Sequence, residues 1–286
     1  MQQQADQAVR HPWNLEFQWQ IPPGPYRVLS DQQARQFDQA GYIVLEDVFG
    51  EPTVVEVTAE LDAYEQKTEE FLRRQPEGRL RIAESGAITF SAQLLRRSML
   101  LRRFATRPVL LGLCHDLIGP DVNAYWDQAV YKKPEKPRRF PWHQDNGYNY
   151  IEPQNYLTCW IALVDATVDN GCPHVAPGVH RMGTLEHHYV EPLGWECFSS
   201  FRGAVAAPVR AGGMVVFSSL TPHLTGPNVT DAVRKAYILQ YAPAGAMRQI
   251  GDASAGPPSG GEPVADPEHQ FPVLRNDEPV EPPSLE

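Results

Sequence analysis

The chain has only four cysteines in 286 residues, Cys114, Cys159, Cys172 and Cys197, and no two are spaced as a Cys-x-x-Cys pair. Neither a cysteine-based zinc site nor a dense disulfide framework follows from such spacing, and they read as reduced thiols of a cytoplasmic protein. Cys159 inside an apolar run and Cys114 inside a helical one read as buried hydrophobes. No stretch approaches 18 uninterrupted apolar residues, and the start MQQQADQAVRHPW has no basic segment followed by an apolar one. Neither a membrane span nor an export signal is expected. Positive charge is scarce too: 25 Lys and Arg against 35 Asp and Glu leave a net charge of -10, the wrong sign for neutralising nucleic-acid phosphates. What is present is 42% hydrophobic and 10% aromatic residues, enough for a sizeable globular core.

The chain divides into three stretches. From about Ser30 to Gly119 the pattern is helical. Ser30 can cap DQQARQFDQA and Gly41 can end it; an amphipathic run spans Pro52 to Arg74, and two shorter helices fit Met99 to Thr106 and Pro108 to Ile118. Between them YIVLEDVF, Tyr42 to Phe49, has the length and β-branched content of a strand. From Asn123 to Ala244 the texture changes to the short strands AYWDQAVYK, YLTCWIALVDA, GMVVFSSL and KAYILQYAPA, separated by turn signals. Short strands without alternating helices predict a mainly β domain with flanking helices, a sandwich, barrel or jelly roll. The last stretch, 251–286, holds eight Pro, four Gly and eight acidic residues against one Arg, and carries -7 of the net charge. That composition predicts a disordered tail, leaving one domain over 1–250 with a helix-rich part to about 120 and a β core over about 121–245.

The chemistry-bearing residues lie in the β-rich stretch. His143 and Asp145 in PWHQDNGY form a His-x-Asp pair, and side chains two apart on an extended segment face the same way. So short a motif recurs by chance and needs its context. His223 follows the apolar strand GGMVVFSSL, and Arg234 precedes the strand KAYILQY. Two His and one carboxylate are the ligand set of a non-haem Fe(II) with open positions, and a guanidinium binds a carboxylate bidentately, with the Thr225 hydroxyl in reach of the same group. Gln128 and Lys132 alternate onto one face of their strand. Trp142, Asn146, Tyr148 and Tyr150, close around the His-x-Asp, are expected to line a pocket mouth for an apolar or mixed substrate. The basic run YKKPEKPRRF, with Lys132, Lys133, Lys136, Arg138 and Arg139, reads as a solvated loop beside it. His187 and His188 are adjacent and cannot share one metal; His174 and His180 read as structural or surface residues, and His11, His115 and His269 lie outside the β core.

Taken together, PWHQDNGYNYIEP, YLTCWIALVDAT, DNGCPHVAPGVHR and SSLTPHLTGPNVTDAVRKAYILQY resemble, in order and spacing, the phytanoyl-CoA dioxygenase-like (PhyH) family of Fe(II)- and 2-oxoglutarate-dependent oxygenases. The resemblance covers roughly 31–241. It implies a double-stranded β-helix, a cupin-like jelly roll, with Fe(II) held by His143, Asp145 and His223. It implies 2-oxoglutarate held by Arg234 and Thr225, with Gln128 and Trp160 as further contacts. The implied reaction consumes O2, with ascorbate as a reductant, and hydroxylates a small organic molecule such as a lipid, acyl thioester or secondary metabolite, releasing succinate and CO2. Asp145 stands where related halogenases have a small residue, which points to hydroxylation or desaturation. The chain departs from relatives that carry a Lys at the end of the segment GAITF, where it has Phe90. Two alternatives stand beside this reading: a cupin-type metalloenzyme that does not use 2-oxoglutarate, and a non-catalytic jelly-roll binding protein.

Overall fold

Ser30 accepts the backbone N–H of Gln33 on its hydroxyl, and the Gln33 side chain accepts the Ser30 N–H, a reciprocal cap that starts helix α1 (Asp31–Ala40). Gly41, at φ 80°, turns the chain left-handed and ends it. The chain continues through β1 (Tyr42–Leu45), α2 (Glu51–Arg73), β2 (Ile88–Ala92), α3 (Met99–Ala105) and α4 (Pro108–Leu117). The four helices fall within a residue or two of the positions that caps and periodicity predict. The computed structural model describes residues 8–134 and 140–285, so Lys136, Arg138 and Arg139 of the basic loop lie outside the described residues. Among the described residues no helix is long and apolar enough to cross a membrane.

The β core comprises β3 (Val122–Lys132), β4 (Leu157–Ala162), β5 (Pro173–Val175), β6 (Met214–Ser218), β7 (His223–Thr225) and β8 (Arg234–Pro243). The large sheet runs β1-β6-β4-β8-β3-β2, antiparallel throughout. A smaller sheet joins the short strand Val205–Ala206 to β5 and β7. Period-two alternation gives the large sheet two buried faces. On one, Cys159, Ile161, Val216, Tyr237 and Leu239 pack under the helices with Phe37, Leu61, Phe104 and Leu110. On the other, Val130, Trp160, Phe217 and Ile238 meet Cys172, Ala207 and Leu224 from the side of the smaller sheet. The result is the expected jelly roll with helices against its outer face.

The stretch 251–286 departs from the expectation of disorder. Strand β9 (Pro272–Arg275) pairs with the start of β3, Pro272 opposite Asn123 and Leu274 opposite Val122. Phe271, Val273 and Leu274 are fully buried. The side chain of Arg102, itself buried, donates to the carbonyls of Glu268, Pro283 and Ser284, and Arg96 pairs with Asp266 and Glu268. Composition averaged over 36 residues conceals one apolar run, Phe271 to Leu274, and that run covers an otherwise bare strand edge. Phe271→Ala is accordingly expected to lower unfolding free energy by roughly 3 kcal/mol in denaturant titration. A variant as stable as the wild type would mean that this segment does not dock.

Helix α1 is tied to the β core through His180, whose Nε2–H donates to the Asp38 carbonyl at 3.1 Å and whose ring meets Trp19 edge-on. Burial pushes its pKa down to about 4. The folded value lies below the unfolded one, so the unfolded chain takes the proton first as pH falls. The stabilisation is complete above about pH 6.5 and is lost between there and pH 4, by roughly 3 kcal/mol. His180→Gln is expected to flatten that part of the stability profile, measured by urea unfolding at pH 7, 6, 5 and 4. Parallel profiles for the two proteins would refute the assignment.

Candidate active site

His143 and His223 stand opposite each other in a two-residue antiparallel bridge, exchanging N–H···O bonds of 3.1 and 2.9 Å. Residues directly opposite in such a pair project to the same side, and the two imidazole centroids lie 4.3 Å apart. Each ring directs Nδ1 at the carbonyl two residues earlier, Pro141 at 3.1 Å and Thr221 at 3.0 Å. A carbonyl only accepts, so Nδ1 carries the proton and Nε2 presents a lone pair. Burial, aided by the neighbouring His223, holds His143 well below the usual histidine pKa, which keeps it neutral. Asp145 opens the short turn Asp145–Gly147 with Oδ1 3.9 Å from His223 Nε2. Its Oδ2 accepts the Thr158 hydroxyl of β4 at 2.5 Å. One ligand atom from each of the three residues lies within 4.8 Å of the others, and no second such group occurs among the described residues. Two imidazoles that face one another with Nε2 and a carboxylate converging from one side fit an iron(II) that keeps open positions.

Arg234 begins β8 opposite Lys132 at the end of β3, and both side chains are fully buried. The Arg234 guanidinium lies 5.1 Å from the Trp160 ring centre and donates to the Val130 carbonyl at 3.4 Å. Trp160 is buried in the interior cluster of the jelly roll. Lys132 does not sit at a solvent rim: its ammonium donates to the carbonyls of Thr225 and Gly226 and lies 3.2 Å from the Phe140 ring centre. It ties β3 to the end of β7, where Thr225 is half-buried. Gln128, half-buried, lies two residues before Val130 and four before Lys132, on the strand face that turns inward. Phe90 sits on β2 opposite Val130 and packs against the same interior cluster.

Of the four residues expected at a mouth, only Tyr148 is there, exposed and edge-on to His143 with centroids 5.3 Å apart. Trp142 packs against Phe198 and Phe201, and Tyr150 against His11 and Trp13. Asn146 is buried, donating to Thr184 and accepting the Ile151 N–H. Trp142 points away because it adjoins His143 on extended chain, where neighbours face opposite sides, and Asn146 and Tyr150 do so because the chain leaves the extended form at Asp145. The exposed rings beside Tyr148 come instead from a hairpin pairing His188–Val190 with Gly194–Glu196, where Tyr189 and Trp195 stand edge-to-face. The Tyr148 hydroxyl reaches 3.5 Å from the space beside Gly194. Sequence reading also missed Thr158 and Gln240, whose amide donates to the Thr158 hydroxyl at 3.2 Å. Thr158 was within reach of it, since it precedes Trp160 by two on one strand and shares its face.

Comparison with known proteins agrees with this geometry. A profile of the family described as "Phytanoyl-CoA dioxygenase (PhyH)" matches residues 37–236. A methylphosphonate hydroxylase of Gimesia maris is 27% identical over 228 residues, covering 74% of this chain and 80% of the relative. Among solved structures, the non-haem α-ketoglutarate-dependent carbocyclase SnoK of nogalamycin biosynthesis superposes with a TM-score of 0.65 at 26% identity, covering 84% of this chain and 96% of that one. EvdO2 of Micromonospora carbonacea var. aurantiaca, solved with 2-oxoglutarate, gives a TM-score of 0.59 at 26% identity, covering 82% and 96%. A match spanning most of the helical layer and the whole ligand-bearing core leaves one conclusion: the chain belongs to the phytanoyl-CoA dioxygenase (PhyH) family of iron- and 2-oxoglutarate-dependent oxygenases.

Proposed function

We propose that His143, Asp145 and His223 hold Fe(II), and that Arg234 binds the far carboxylate of 2-oxoglutarate with Thr225, Gln128 and Trp160 beside it. The reaction is hydroxylation of a small organic molecule, with succinate and CO2 released. The observation that carries this reading is a converging His/Asp/His donor set in the same barrel as a fully buried guanidinium on the adjoining sheet. Bound there, iron and 2-oxoglutarate supply the activation of O2 and the oxidative decarboxylation that drives it. The protein's own residues do the rest. Thr158 occupies one oxygen of Asp145 and leaves the other for the metal. Arg234, in a dry interior, attracts an anion far more strongly than it would in water. Trp160 flanks the guanidinium and limits how it can turn. Val130, Phe217 and Ile238 keep the chamber apolar.

The substrate reaches this chamber past Tyr148, with Tyr189 and Trp195 at the rim. Aromatic faces at the mouth favour an apolar or mixed molecule, a lipid, acyl thioester or secondary metabolite, over a macromolecule. The methylphosphonate hydroxylase and the nogalamycin carbocyclase, by their names, act on small molecules, which supports a small molecule over a macromolecule here. Ascorbate serves as the reductant that restores ferrous iron. Four buried, free cysteines fit a cytoplasmic protein.

The test is an anaerobic titration of metal-free protein with Fe(II) and then 2-oxoglutarate, following the visible charge-transfer band of the chelated complex. The wild type is expected to show the band and His143→Ala to lack it. Arg234→Ala is expected to need about 10- to 100-fold more 2-oxoglutarate, the loss of a charge-assisted bidentate contact. Arg234→Lys should fall between, keeping charge without the fork. Iron binding with no band in the wild type would refute the co-substrate assignment and favour a cupin-type metalloenzyme that works without it.

A further inference from the structure

Three histidines around the site share one posture. His143, His223 and His187 each direct Nδ1 at the carbonyl two residues earlier, the last at Leu185 at 2.9 Å, so each presents an Nε2 lone pair. The lone pairs of His143 and His223 meet in the donor set. That of His187 accepts the backbone N–H of Gln144, the residue between His143 and Asp145, at 3.0 Å. Both nitrogens of His187 are therefore engaged, and it is not a fourth ligand. Its ring also fills the space beside Gly147, where a Cβ would lie 2.2 to 2.4 Å from three ring atoms. The turn that carries Asp145 ends in glycine because an imidazole lies against it.

Gln144 is held from its other side as well. Its fully buried side chain donates to the carbonyls of Gly183 at 3.0 Å and Leu220 at 2.6 Å, and accepts the Leu185 N–H at 2.6 Å. The backbone of Gln144 is extended, φ -100° and ψ 144°. This matters because His143 and Asp145 project the same way only while the residue between them stays extended. Without an acceptor at His187, the Gln144 N–H would be left unpaired in a buried site. The peptide would then turn to find a partner, carrying both ligands with it.

We propose that His187, acting with Gln144, is a positioning residue of the iron site: it fixes the peptide between the two ligands and so sets their bite. The inference rests on the iron reading above and concerns which residues outside the ligand set determine metal affinity. Loss of such a support typically weakens metal binding 10- to 100-fold while the ligands themselves remain.

The test uses Co(II) alone as the probe, titrated into the metal-free full chain and followed by its visible absorption. Circular dichroism confirms that each variant is folded at the titration temperature. His187→Leu, which keeps bulk and removes the acceptor, is expected to weaken Co(II) binding about 10- to 100-fold and shift the cobalt bands. His187→Gln, whose side-chain carbonyl can accept the same N–H, should recover most of the loss. Gly147→Ala pushes the imidazole away and should weaken binding by itself, yet add little in a His187→Ala background, where the clash is gone. Gly147→Ala also serves as the deciding variant where His187→Leu does not fold. Affinities within twofold of the wild type in these folded variants would overturn the proposal and leave His187 a packing residue. Failure of the wild type itself to bind Co(II) or Fe(II) would overturn the iron reading, and the inference with it.

Discussion

The site depends on one pair of backbone hydrogen bonds, those exchanged between His143 and His223. These residues lie eighty apart in sequence, and no local preference brings them together. The bridge joins the segment after β3 to the smaller sheet and sets two side chains in parallel, as opposite members of an antiparallel pair must stand. Asp145 follows as a geometric consequence, two residues along the same extended chain. Three donor residues from two segments are thus brought together chiefly by one long-range pairing, which the rest of the jelly roll holds in register, while the contact between His187 and Gln144 keeps the segment between His143 and Asp145 extended.

The interior around them is lined by apolar side chains from both sheets, and two cationic side chains lie in it. Lys132 and Arg234 face each other across neighbouring strands, fully buried. Lys132 meets the cost of its burial in part with two backbone carbonyls, those of Thr225 and Gly226. In the proposed complex, the far carboxylate of 2-oxoglutarate would lie against Arg234. Phe90 brings an apolar ring from β2 to the same interior cluster.

What could be read from the sequence and what could not divide along physical lines. Ser30, Gly41 and the helices that follow obey local rules of capping and periodicity, so they were legible. That His143, Asp145 and His223 converge was legible because the resemblance preserved their order and spacing. Tyr150 was misplaced because face assignment by alternation fails where the chain bends after the His-x-Asp, whereas for Trp142 alternation holds and turns it away from the side of His143. Phe271 to Leu274 was hidden by averaging, since the prolines and acidic residues on either side of this short run dominate any composition of the stretch. His187 was invisible for a different reason. Its function is a lone pair offered to a peptide N–H forty-three residues upstream, and neither residue type nor spacing announces such a contact.

The docking of β9 has a consequence for how the molecule is made. The start of β3 is synthesised long before its partner. Until residues 272–275 dock, the edge of the large sheet stays open, with Val122 and Asn123 offering backbone groups to any neighbouring chain. The nascent protein is therefore most prone to association in the interval between completion of the core and the docking of β9.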